Sequence, residues 1–132
     1  MQKEEVAKYI EGARRKSDFE RDQLEKEKTG VFSGSYCLNP ANQERVPVWV
    51  GDYVVSAYGG GAVMVVPAHD FRDYDFAKKY GLEIRKVVSG GNISKESFID
   101  YGTLVNSGDF NGLSSKEALE KFKNLRYEEN FR

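Results

Sequence analysis

Fifteen residues, GGGAVMVVPAHDFRD from Gly59 to Asp73, constrain this chain more than any other stretch. Three glycines open it, an apolar run follows, and Pro67 turns it towards the chain's only histidine and two aspartates. A short apolar run rich in valine, bounded by glycine and proline, predicts a strand over Ala62 to Val66. Beyond the turn, Asp73, Phe76, Ala77 and Tyr80 fall at i, i+3, i+4 and i+7, the inner face of a helix over about 70–80 that Gly81 would stop.

The glycines do not make a phosphate loop, because such loops lie between a strand and a helix N-terminus. These precede the predicted strand, and no Gly-Lys-Ser/Thr follows. Their expected use is positive φ, a close backbone approach or a tight hairpin. The two carboxylates have two explanations. Asp70 can be the N-cap and Asp73 its N3 partner, both favoured by the positive end of the helix dipole. Alternatively Asp73, at a helix start beside a glycine-opened strand, faces a cleft and holds a cationic group through a charge-assisted hydrogen bond worth about 1.5–3 kcal/mol. His69 beside Asp70 has the form of a metal-binding His-Asp pair, but with one histidine and no second cluster of ligands it reads as a turn histidine bonded to backbone, and no metal or cofactor is expected. Arg72 reads either as a solvated partner of Asp75 or Glu83, or as a planar fork against a nucleotide.

The rest of the chain predicts a mixed α/β fold in a single domain over 1–132. Residues 1–30 read as helical: Val6, Tyr9, Ile10 and Ala13 make a narrow apolar stripe, and the Ser17 to Glu20 capping box starts a second short helix. Residues 31–113 read mostly as strands, over Val31 to Leu38, Val46 to Val50, Asp52 to Tyr58, Ala62 to Val66, Ile84 to Val88 and Thr103 to Asn106, with a loop at 89–97. Pro47 places its strand at an edge or a bulge. A further capping box, ending in Glu117, opens a helix over 114–124.

Composition removes several function classes. With 20 basic and 21 acidic side chains the net charge is −1, so no global field draws the chain to nucleic acid or to an anionic membrane. The lone Cys37 excludes an internal disulfide framework and a multi-thiolate metal site, and suits the cytosol or an organelle matrix. The N-terminus is rich in charge from Lys3 onward and no apolar stretch reaches the length of a membrane span, so a soluble, untargeted chain is expected. No Ser/His/Asp constellation is present, and Cys37 lacks a basic niche that would activate it.

The stretch Tyr58 to Asp73, continuing YDFAKKYGL to Leu82, closely resembles the editing domain of bacterial-type leucyl-tRNA synthetases. RKSDFER from Arg15, EKTGVFSG from Glu27, NPAN from Asn39, VPVWVGDY from Val46 and LVNSGDFNGL from Leu104 are similar to the same family in the same order. The resemblance implies a β-barrel core with flanking helices, incomplete on its N-terminal side. It implies a domain that hydrolyses the ester joining a wrong amino acid to leucine tRNA. Such a second sieve is needed because one hydrophobic pocket separates side chains that differ by a methylene by only about 1–3 kcal/mol. By the same resemblance Asp73 binds the substrate α-ammonium, Met64 supplies a backbone contact, Val66 lines the amino-acid pocket, Tyr58 forms its wall, and Arg72 meets the terminal adenosine. The implied partners are the 3′ end of tRNA(Leu) carrying a noncognate amino acid and the remainder of the synthetase.

This chain departs from the family pattern in three respects. Gly60 stands where the family usually has threonine, and Phe71 where a polar residue is common. The threonine-rich segment that completes the family's site is expected to lie before the region covered, since the chain's only threonines are Thr29 and Thr103. The ATP-dependent signatures of the synthetic core are absent as well. Beside an editing hydrolase, therefore, a non-catalytic folding or binding module that pairs with a complementary chain stays open, as does a stand-alone hydrolase of free aminoacyl esters.

Overall fold

A computed structural model describes residues 1–17, 20, 27–54 and 59–128. They form two compact units, Met1–Met64 and Val65–Arg132. In the first unit, helix α1 (Gln2–Arg14) leads to strands β1 (Gly30–Leu38) and β2 (Arg45–Gly51). Val6, Tyr9, Ile10 and Ala13 are the half-buried positions of α1, the stripe that the spacing predicts. Glu4 and Glu5 in its first turn and Arg14 in its last complement the helix dipole. After it, Ser17 and Glu20 exchange the capping-box bonds, Ser17 N donating to Glu20 Oε2 at 2.7 Å, but the helix expected from there falls mostly outside the described residues.

The two strands pair antiparallel, with Val31 opposite Val50, Phe32 opposite Trp49 and Leu38 opposite Arg45. Between them, Asn39 closes the turn, its N–H reaching Glu44 O at 2.8 Å and its side chain accepting from Ala41 N at 3.0 Å. The register slips between Phe32 and Tyr36, where Gly34 takes φ +80°. Pro47 lies opposite Tyr36 at that irregularity, as expected of a residue that cannot donate to a ladder. Phe32, Tyr36 and Trp49 gather on one face, with ring centroids 5.5 and 5.6 Å from Phe32.

A polar knot fastens α1 to this hairpin. The Tyr9 hydroxyl donates to Thr29 O at 2.7 Å and accepts from Asp52 N at 3.0 Å. The Asp52 carboxylate, 5 % exposed with its residue, accepts from Thr29 N at 3.3 Å and pairs with Lys16 Nζ. Burial works to raise the Asp52 carboxyl, but the hydrogen bonds from Lys16 and Thr29 outweigh it and hold the group below the usual carboxylate range.

The second unit carries helices α2 (Phe71–Tyr80) and α3 (Ser115–Glu128). The α2 stripe buries Phe76 and Ala77 as expected, and also Tyr74, which that stripe did not include. Tyr74 lies four residues after Asp70 and three before Ala77, so a stripe read from Asp70 would have found it. Its hydroxyl donates to Ile93 O at 3.0 Å. Gly81 stops α2 in the left-handed conformation, φ +64°. The second capping box forms at Ser114, whose Oγ accepts from Glu117 N at 3.3 Å while Glu117 accepts from Ser114 N at 2.8 Å. Between the helices, Ser89 N bonds Thr103 O at 2.7 Å, Val105 N bonds Val87 O at 3.0 Å, and Leu104 N bonds Leu113 O at 2.8 Å.

The expected barrel core is not formed. Among the described residues the one sheet is the β1–β2 pair, and the other predicted strands supply only single bridges, Val88 to Leu104 and Thr103 to Ser114. Residues 62–66 are not a strand, and Asp52 to Val54 form a turn, with 55–58 outside the described residues. The reason is that a strand exists only where its N–H and C=O groups meet a neighbour. Valine-rich sequence cannot supply that neighbour. No helix among the described residues is long and apolar enough to cross a membrane.

Because the Asp52 carboxyl is held below its unfolded value of about 3.9, its stabilising contribution is present above that pH and is lost as pH falls. The first unit is therefore expected to loosen on acidification below about pH 4–5, and Asp52→Asn to flatten that dependence while lowering stability at neutral pH. Trp49, the only tryptophan, lies in this unit, so its fluorescence during urea unfolding at several pH values reads both effects.

Candidate functional site

The chain winds tightly between Val66 and Asp73. Val66 O accepts from His69 N at 2.8 Å and from Asp70 N at 3.0 Å, closing a turn started by Pro67. Ala68, 2 % exposed, plugs its inner side. Asp70 then takes extended backbone (φ −136°, ψ 129°), and its Oδ1 accepts from Arg72 N at 2.8 Å and Asp73 N at 3.2 Å. It is the N-cap of α2, the role its place before the helix predicts.

Asp73 does not reciprocate as an N3 cap partner. Its Oδ2 accepts from Val66 N at 2.8 Å, so the carboxylate reaches across the turn to the segment before the proline. The two committed atoms, Val66 N and Val66 O, hold the turn from both ends. A carboxylate offers about four lone-pair sites, and Val66 N takes one of those of Asp73. Half-buried in the first turn of a helix, Asp73 gains from the positive dipole end and keeps a fixed direction. Such a group can orient a cation.

Arg72 is held by Asp70, Nε to Oδ1 at 3.9 Å, with both side chains one-third exposed. The partners expected from spacing are engaged differently: Glu83 pairs with Arg85 at 3.1 Å, and Asp75 lines a shallow hollow of about 340 Å³ with Phe71, Tyr74, Lys95 and Ile99.

His69 bonds only to backbone, as the sequence reading expected. Its Nδ1 lies 2.7 Å from Phe98 O, and its Nε2 accepts from Val87 N at 3.1 Å and Val88 N at 3.0 Å. The ring thereby joins three separated segments. No local signal predicts these partners, because they lie 18 to 29 residues away in the chain.

Of the residues singled out in the sequence, Val66, Arg72 and Asp73 come together in the second unit. Met64 ends the first unit, 63 % exposed, and Tyr58 lies outside the described residues. The backbone partner of Asp73 is Val66 N, an interaction the sequence reading missed. Gly60 and Gly61 take φ +80° and +86° within a 3-10 turn, so the glycines serve positive φ. A Cβ at Gly60 would meet no atom within 4 Å, which leaves no close approach to explain it.

Residues 1–126 match a family model described as leucyl-tRNA synthetase, editing domain. The match takes in both units and every residue named in this turn.

Removing the N-cap should loosen the carboxylate without touching it. Asp70→Ala is expected to destabilise α2 by about 1 kcal/mol, and Asp70→Ser to restore most of that. Amide hydrogen exchange of α2 measures the difference.

Proposed function

The chain belongs to the leucyl-tRNA synthetase editing domains, and from that premise we propose that it removes noncognate amino acids from tRNA(Leu), with Asp73 holding the substrate α-ammonium. Membership carries the general role: an editing domain acts on aminoacyl-tRNA by hydrolysis as part of a ligase. The observation that carries the finer reading is the Asp73 carboxylate, fixed on Val66 N at 2.8 Å at the start of α2. A carboxylate so held can set the position of an ammonium, and with it the ester two bonds away.

The reaction needs no enzyme nucleophile. Water adds to the ester carbonyl carbon, the bond to the terminal ribose oxygen breaks, and the products are the free amino acid and the tRNA 3′ end. Orientation of the ester and of the water lowers the barrier. Arg72 is read as meeting the terminal adenosine, and Tyr58, Met64 and Val66 as lining the amino-acid pocket. The remainder of the synthetase completes the site, in the cytosol or an organelle matrix.

A second reading has one observation in its favour. Val63, Met64, Val65 and Val66 are all exposed, and among the described residues they join no strand. A valine-rich run in that state suits pairing with a strand from another segment. On this reading the chain is a folding or binding module, and the threonine-rich segment is supplied by a complementary chain.

Deacylation of mischarged tRNA(Leu) by the intact domain carrying these residues tests the first reading. Asp73→Ala is expected to lower kcat/KM roughly 10- to 100-fold, the worth of a hydrogen bond to a charged group. An unchanged rate would remove Asp73 from the site. Titrating the chain with the threonine-rich segment tests the second: a complex that forms without hydrolysis supports it, and a chain that stays monomeric argues against it.

A further inference from the structure

We infer that His69 is a positioning residue for Asp73 and performs that role only while its ring is neutral. The bonding pattern decides the tautomer. Nε2 faces two backbone N–H groups, Val87 at 3.1 Å and Val88 at 3.0 Å, and can only accept from them. Nδ1 faces the carbonyl of Phe98 at 2.7 Å and can only donate to it. The ring is therefore neutral, with its proton on Nδ1.

Protonation puts a hydrogen on Nε2, pointing at two other donors. Nothing at that position can accept it, so both N–H bonds are lost and the ring must leave. The turn would feel this directly. His69 N and Asp70 N hold Val66 O, and Val66 N holds Asp73 Oδ2. The ring ties that turn to residues 87–88, and it shares the tie to residue 98 with the Phe98 N to Ala68 O bond at 2.9 Å.

No charged neighbour substitutes for those contacts. On its own turn, Asp70 is occupied as the helix cap. On the chain leading to Val87, Lys86 Nζ bonds Gly91 O at 3.2 Å and Arg85 pairs with Glu83. Near Phe98 the charged side chains in sequence are Lys95, Glu96 and Asp100. Among the described residues every polar contact of the ring is to uncharged backbone, and its aromatic neighbour is Phe98, with centroids 6.4 Å apart. His69 is thus a latch that acid opens.

The consequence for hydrolysis rests on the role given to Asp73 above, whereas the latch itself does not. Because the chain has one histidine, a long-range ¹H–¹⁵N spectrum of the full chain shows one pair of ring nitrogens. At neutral pH the expected spectrum has Nδ1 protonated and Nε2 bare. On acidification the amide signals of Val66, Val87 and Val88 should move together with the ring. His69→Gln, whose Oε1 can accept from the same two N–H groups, should show no such transition; His69→Ala should loosen the turn at every pH. An Nε2-protonated or averaged ring, or amides that ignore its titration, would overturn the latch.

Deacylation by the intact domain then reads the coupling to the site. Relative to His69→Gln, the native rate should fall about tenfold on acidification, the effect of losing one or two buried hydrogen bonds. Coinciding profiles would overturn the positioning role. If instead Asp73→Ala deacylates at the native rate while the ring spectrum is as expected, the reading of Asp73 fails and the latch stands.

Discussion

The three hydrogen bonds at the Val66 backbone are what the second unit's site depends on. Its carbonyl accepts from His69 and Asp70, and its N–H donates to Asp73. A residue with both backbone polar atoms committed leaves the turn one conformation, and that conformation delivers Asp70 to the helix cap. From the cap follows the start of α2, and from that start the half-buried placement of Asp73. Substitutions that leave every named side chain in place can still damage the site by disturbing this one residue's backbone.

Polar anchors matter here because few apolar side chains are buried among the described residues. Those buried are Val31 and Tyr53 in the first unit and Ala68, Tyr74, Phe76, Ala77 and Ala118 in the second. A large buried side chain contributes about 1.5–3 kcal/mol, and an alanine much less. In the first unit the Tyr9, Thr29, Asp52 and Lys16 knot therefore has a large share in holding α1 to the hairpin. In the second, the His69 ring bonds three segments that lie apart in the chain. Buried polar groups that are fully paired also select one arrangement, since any slip leaves a donor or acceptor unmet.

The features legible in the sequence were those whose partners are close in the chain. Asp70 capping α2, Gly81 ending it and Ser114 with Glu117 opening α3 all bond within three or four residues. The α1 stripe was equally readable, because a helix's period is its own. Ala62 to Val66 failed as a strand for the opposite reason. Its composition suits a sheet, but the ladder that makes a strand belongs to another segment, and composition says nothing of where that segment is.

The sequence by itself determined both ends of α2, the start of α3, the place of Pro47 at an edge or bulge and the motif that carries the family match. Each follows from local sterics, local hydrogen bonding or residue identity. Only the tertiary structure decided that Asp73 bonds Val66 N, that His69 ties Val87, Val88 and Phe98 to one turn, and that Asp52 faces Lys16. Those contacts span 7 to 36 residues, and they are set by which chain segments pack together, a property no window of sequence contains.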